Sequence, residues 1–141
     1  MISAPQQKTT TASLLVIDDD AHVCRAMQRI LEVEGYSVQV AGDGAEGLKR
    51  IQAGGIDLVL TDLDMPNKNG FELIHELKQI RSNVPVILFS GAIPLKVQEK
   101  LSIHENLDVE IHLHKPISRE HLLKAIRYHL EHGIPKGRLE R

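Results

Sequence analysis

The sequence predicts an α/β domain: a doubly wound parallel sheet of five strands with helices on both faces. Apolar runs of strand length recur at about 14–17, 36–41, 57–61, 84–89 and 109–114. A stretch with helical spacing follows each run. The runs are nearly continuous in apolar residues, as strands buried on both faces of a parallel sheet must be. Right-handed crossovers then put helices on both sides.

Taken in order, residues 1–12 are polar and rich in Thr and Gln, and read as a flexible tail. The domain proper spans 13–132. After the first strand, Asp20 is placed to cap a helix carrying Val23, Met27, Ile30 and Leu31 at helical spacing, with Gly35 as its stop. Asp43 caps a second helix, with Ala45, Leu48 and Ile51 inward and Gly54-Gly55 ending it. Phe71, Ile74, Leu77 and Lys78 mark a third helix. Pro94 suits the first turn of a fourth, with Val97, Leu101 and Ile103 apolar. Ser118 and Glu120 open a fifth, with Leu122, Leu123, Ile126 and Leu130 inward and Gly133 closing it. Residues 133–141, with Gly133, Pro135 and Gly137, read as an irregular C-terminal tail.

Composition narrows the function classes. The 141 residues are 42% hydrophobic but only 3% aromatic, with no Trp, so the core must be aliphatic. A net charge of -2 gives no basic surface for direct nucleic-acid binding. One cysteine, Cys24, precludes an internal disulfide. No apolar run approaches the roughly 18 residues of a membrane span, and no signal peptide opens the chain, so the expectation is a cytoplasmic protein without membrane insertion.

The chemistry gathers at the strand ends. Asp18-Asp19-Asp20 follow the first strand, Asp62 the third, Ser90-Gly91 the fourth and Lys115-Pro116 the fifth. Ligands of open α/β sheets bind beyond the carboxyl ends of the strands, so these groups are expected to meet. Two like charges about 4 Å apart repel by roughly 4 kcal/mol at an effective dielectric of about 20, so clustered carboxylates call for a cation. An all-oxygen set suits Mg²⁺ or Mn²⁺. Asp18, Asp19 and Asp62 are the candidate ligands; Asp20 reads as a cap instead. Asp62 also has the chemistry of a covalent phosphoryl acceptor. Lys115 can offset charge on the transferring group, and the Ser90 hydroxyl can donate to it.

These residues resemble the receiver domain of two-component response regulators over about 13–132. The match lies in the Asp18-Asp19 pair, in Asp62-Leu63-Asp64-Met65-Pro66-Asn67-Lys68-Asn69-Gly70, in Ser90-Gly91 and in Lys115-Pro116. The resemblance implies a flavodoxin-like sheet of order 2-1-3-4-5. It implies that Asp62 takes a phosphoryl group from a histidine kinase or phosphotransfer protein. It adds the Asp64 backbone carbonyl to the Mg²⁺ ligands, lets Asp18 act mainly through a metal-bound water, and makes the Lys115-Pro116 bond cis. Such a domain is not an enzyme in the ordinary sense, although it catalyses its own phosphorylation and dephosphorylation. Switching would couple Ser90 to the residue three before the lysine, here His112 where the family usually has Tyr or Phe. The output face would be the fourth helix, fifth strand and fifth helix. Because only nine residues follow His132, the expectation is a stand-alone receiver acting on another protein.

Two other functions fit parts of the pattern. A phosphorylation-independent adaptor needs none of the acid, hydroxyl and lysine set that is present here. An aspartate-nucleophile phosphatase resembling the haloacid-dehalogenase group would use Asp62-Leu63-Asp64. Its motif belongs near the N-terminus of the core, however, and Pro66 replaces its usual hydroxyl residue. The histidine pairs His112/His114 and His129/His132 lack further metal partners and read as solvated surface residues. Cys24 reads as a helix residue at the core boundary, not a nucleophile.

Overall fold

The computed structural model describes residues 11–63, 65, 67–80, 82–90, 109–114 and 118–132. Its strands are β1 (Ser13–Ile17), β2 (Ser37–Ala41), β3 (Leu58–Asp62), β4 (Val86–Ser90) and β5 (Val109–His114). Its helices are α1 (Ala21–Val33), α2 (Gly44–Ala53), α3 (Gly70–Gln79) and α4 (Arg119–His132). The helix expected after Pro94 lies outside the described residues, as do most of the two tails and the Lys115-Pro116 bond.

Alternate side chains of a strand point to opposite faces of its sheet. In β1, Leu14 and Val16 enter one apolar cluster, and Leu15 and Ile17 enter another. The first face is covered by Cys24, Met27 and Leu31 of α1 and by Leu122, Leu123 and Ile126 of α4. The second is covered by Ile51 of α2 and by Leu73, Ile74 and Leu77 of α3. This is the doubly wound arrangement, and each fully buried leucine contributes about 1.5–3 kcal/mol to it. Phe89 is the one aromatic among the buried apolar residues described, so the core is aliphatic as the composition requires.

All pairings are parallel. β1 sits between β2 and β3, β4 continues beyond β3, and β5 pairs along β4 with a register shift between Ile87 and Phe89. The helices start where the sequence places their caps. Asp20 accepts from the His22 N–H and Asp43 from the Glu46 N–H. Asn69 and Glu72 form a reciprocal capping box at the start of α3.

One expectation is corrected. His129 is not solvated but buried, 5% exposed, with its ring edge-on to Tyr128 at 5.2 Å. Leu122, Ile126 and His129 recur at intervals of four and three, so one inward stripe of α4 carries all of them. His132 is exposed, stacks on Tyr128 and bonds to the Tyr128 carbonyl. No described helix is long and apolar enough to cross a membrane.

Candidate functional site

The register of the sheet explains why the acids converge. Ile17 of β1 is level with Thr61 of β3, so Asp18 and Asp62 are level and project from the same face. Asp18 is held on the sheet by its N–H, which donates to the Ala41 carbonyl at 3.1 Å. Asp62 is the last residue of β3, one position nearer the sheet than the sequence suggested. Its neighbour Leu63 still donates to the Phe89 carbonyl at 3.2 Å, so the chain leaves β3 along β4.

Carboxylate oxygens of Asp18, Asp19 and Asp62 lie within 4.8 Å of one another. Asp18 is 1% exposed and Asp62 6%, while Asp19 faces solvent. Two desolvated carboxylates and a third at that separation form a strongly anionic site. The donors are all oxygen, and one side is open for water, which fits a small hard divalent cation. Asp18 Oδ1 also accepts the Asp20 N–H at 2.8 Å, which orients the Asp18 carboxylate. Asp20 caps α1 and so serves the helix rather than the cluster.

Beneath the acids, the Cys24 thiol donates to the Asp18 carbonyl at 3.3 Å. Burial pushes this thiol above its ordinary value, and the Asp18 charge adds to the effect. Cys24 is thus a neutral donor, consistent with its reading as a core residue. A cleft of about 470 Å³ opens on the β2 side of the acids, lined by Asp18, Asp19, Cys24, Arg25, Glu46 and Arg50.

Ser90 ends β4 and His112 lies within β5, so both backbones are in place. The Ser90 hydroxyl, the His112 ring, Asp64 and Lys115 lie outside the described residues.

The structure adds residues that the strand-end pattern did not reveal. Asn67, in the loop after Asp62, has a left-handed backbone at φ 68° and donates its amide to Asp43 Oδ2 at 2.9 Å. Gly44 N–H donates to the Lys68 carbonyl at 3.1 Å. The Lys68 ammonium pairs with Glu76 of α3. Gly70 N–H donates to the Leu63 carbonyl at 2.8 Å. The available signal was turn chemistry: an Asn-Lys-Asn-Gly run tolerates positive φ and close backbone approach.

Residues 14–127 match the response regulator receiver domain family. The chain is 39% identical over 116 residues to the uncharacterized transcriptional regulatory protein YkoG of Bacillus subtilis, covering 81% of this chain and 49% of that protein. It is 35% identical over 126 residues to the transcriptional regulatory protein GlrR of Escherichia coli, covering 88% of this chain and 27% of that one. It thus spans about half or less of these relatives. The crystal structure of a CheY-like receiver domain protein from Methanospirillum hungatei superposes with a TM-score of 0.79 at 29% identity, over 88% of this chain and 97% of that one. With the family match running from the second residue of β1 into α4, the chain belongs to the response regulator receiver domain family of two-component signalling.

Proposed function

We propose that this chain is the phosphoacceptor of a two-component relay, with Asp62 as the residue that receives the phosphoryl group. The observation that supports it most directly is the close cluster of Asp62 with Asp18 and Asp19 at level strand ends. In the transfer, an Asp62 carboxylate oxygen forms a bond to phosphorus. The phosphorus–nitrogen bond of a donor phosphohistidine breaks, and its electron pair returns to the imidazole. The donor is a histidine kinase or phosphotransfer protein.

Asp18, Asp19 and Asp62 would hold Mg²⁺, or Mn²⁺, together with the Asp64 carbonyl. Bound there, the cation offsets the charge of the carboxylates and of the incoming phosphoryl oxygens. Lys115 offsets further charge as a flexible ammonium, and the Ser90 hydroxyl donates to a phosphoryl oxygen. The new group adds about 1.5–2 negative charges. Ser90 and His112 pass that change to the face that includes β5 and α4, where a partner protein binds. This chemistry needs no membrane and no direct nucleic-acid contact, and it suits the cytoplasm.

Intact mass after incubation with acetyl phosphate and Mg²⁺ tests the proposal. The expected result is one Mg²⁺-dependent phosphoryl adduct on the wild type and none on Asp62→Asn. An adduct that persists in Asp62→Asn overturns the assignment of Asp62.

A further inference from the structure

The loop that follows Asp62 is anchored at both ends. At the near end, the chain returns to its own strand through the Gly70–Leu63 bond. A Cβ at Gly70 would stand 2.7 Å from the Asp62 carbonyl oxygen and 3.0 Å from Leu63 Cα, so this return is as close as backbone allows. At the far end, the loop is fastened to the first turn of α2 at two points. Asn67 bonds to Asp43, and the Lys68 carbonyl receives the Gly44 N–H. A Cβ at Gly44 would be 2.2 Å from that carbonyl, so only glycine permits the contact. Asp43 divides its two oxygens between the tasks: Oδ1 caps α2 and Oδ2 takes the Asn67 amide. Asn67 sits in the left-handed region, which side chains other than glycine occupy at some cost.

We propose that Asp43 and Asn67 are positioning residues for the phosphoacceptor: their bond, with the Gly44–Lys68 contact, clamps the β3–α3 loop to α2 and so holds Asp62 in register with Asp18 and Asp19. The inference rests on the phosphoacceptor reading given above. Neither residue belongs to the acid cluster, and both act through the loop backbone. Catalytic geometry is sensitive at this scale, since a shift of about 1 Å at a reacting group can cost on the order of a hundredfold in rate.

The test exchanges the two partners. Asn67→Asp sets two carboxylates against each other and removes the donor, while keeping a residue tolerant of positive φ. The exchange Asp43→Asn with Asn67→Asp restores an amide–carboxylate bond with its polarity reversed, and Asn at position 43 still caps α2. Phosphoryl uptake from acetyl phosphate at saturating Mg²⁺ is followed by intact mass, and thermal unfolding is recorded alongside. Uptake by Asn67→Asp is expected to fall about fivefold, equivalent to one hydrogen bond of roughly 1 kcal/mol. The exchange is expected to return it to within about twofold of the wild type. Asn67→Gly keeps the backbone conformation without the amide, and is expected to be slowed like Asn67→Asp even if the latter folds poorly. Wild-type uptake in Asn67→Gly overturns the clamp. So does a slowed Asn67→Asp that the exchange does not rescue, or a slowing that merely tracks the folded fraction. Absence of any adduct on the wild type overturns the phosphoacceptor reading itself, and the clamp with it.

Discussion

Single residues are tightly constrained beside Asp62. A Cβ at Gly70 would meet two backbone atoms that cannot swing aside, the Asp62 carbonyl oxygen and Leu63 Cα. Gly70→Ala therefore forces the loop or the strand end to move. The expected cost is about 1–3 kcal/mol, measured as a lower urea midpoint. An unchanged midpoint would show that the loop relaxes freely. Asp43 links one residue to pH. The Glu46 N–H and then the Asn67 amide hold its carboxyl below the ordinary carboxylate range. A group with a depressed native value contributes stability that is present above its unfolded value and is lost as pH falls through the native one. Asp43→Asn still caps the helix but does not titrate. It is expected to flatten the fall in stability as pH drops below about 4, where an aspartate of the unfolded chain takes up its proton. A profile identical to the wild type would separate Asp43 from the acid response.

At the scale of elements, the helices are held by their ends and by one apolar stripe each. The start of α3 combines both bonds of a capping box, Asn69 with the Glu72 N–H and Glu72 with the Asn69 N–H. Asn69→Ala is expected to cost about 1 kcal/mol by equilibrium unfolding, and Asn69→Ser less than half of that, because serine also caps. A larger loss in the serine variant than in the alanine variant would contradict the capping account. The burial of His129 is likewise set by its helix. Histidine suggests solvent by type, but the stripe through Leu122 and Ile126 carries it inward. Helix position outweighed residue character.

Over the whole molecule, the sheet brings three carboxylates together at a cost that a bound cation would offset. A ligand that binds only the native state stabilises it by RT ln(1 + [L]/Kd), about 2.7 kcal/mol at a concentration one hundred times Kd. Wild type is therefore expected to melt higher as Mg²⁺ is added. Asp18→Asn is expected to melt higher than the wild type without Mg²⁺, since one of the apposed charges is gone, and to respond weakly to added Mg²⁺. A full Mg²⁺ response in Asp18→Asn would remove Asp18 from the ligand set.

The sequence by itself determined the alternation of the described strands and helices, the caps Asp20 and Asp43, and the acids at the ends of β1 and β3. Those features are local: they follow from apolar period, from capping chemistry and from the place where an apolar run stops. Only the tertiary structure decided that Asp18 is level with Asp62, because register is a property of two paired strands. It alone placed Asn67 against Asp43, residues 24 positions apart whose bond exists only once α2 and the β3–α3 loop have packed. It alone sent Leu14 and Leu15 to opposite clusters, one under α1 and α4 and the other under α2 and α3. A continuous apolar run records that both sides of a strand are buried, but not which helix buries each side.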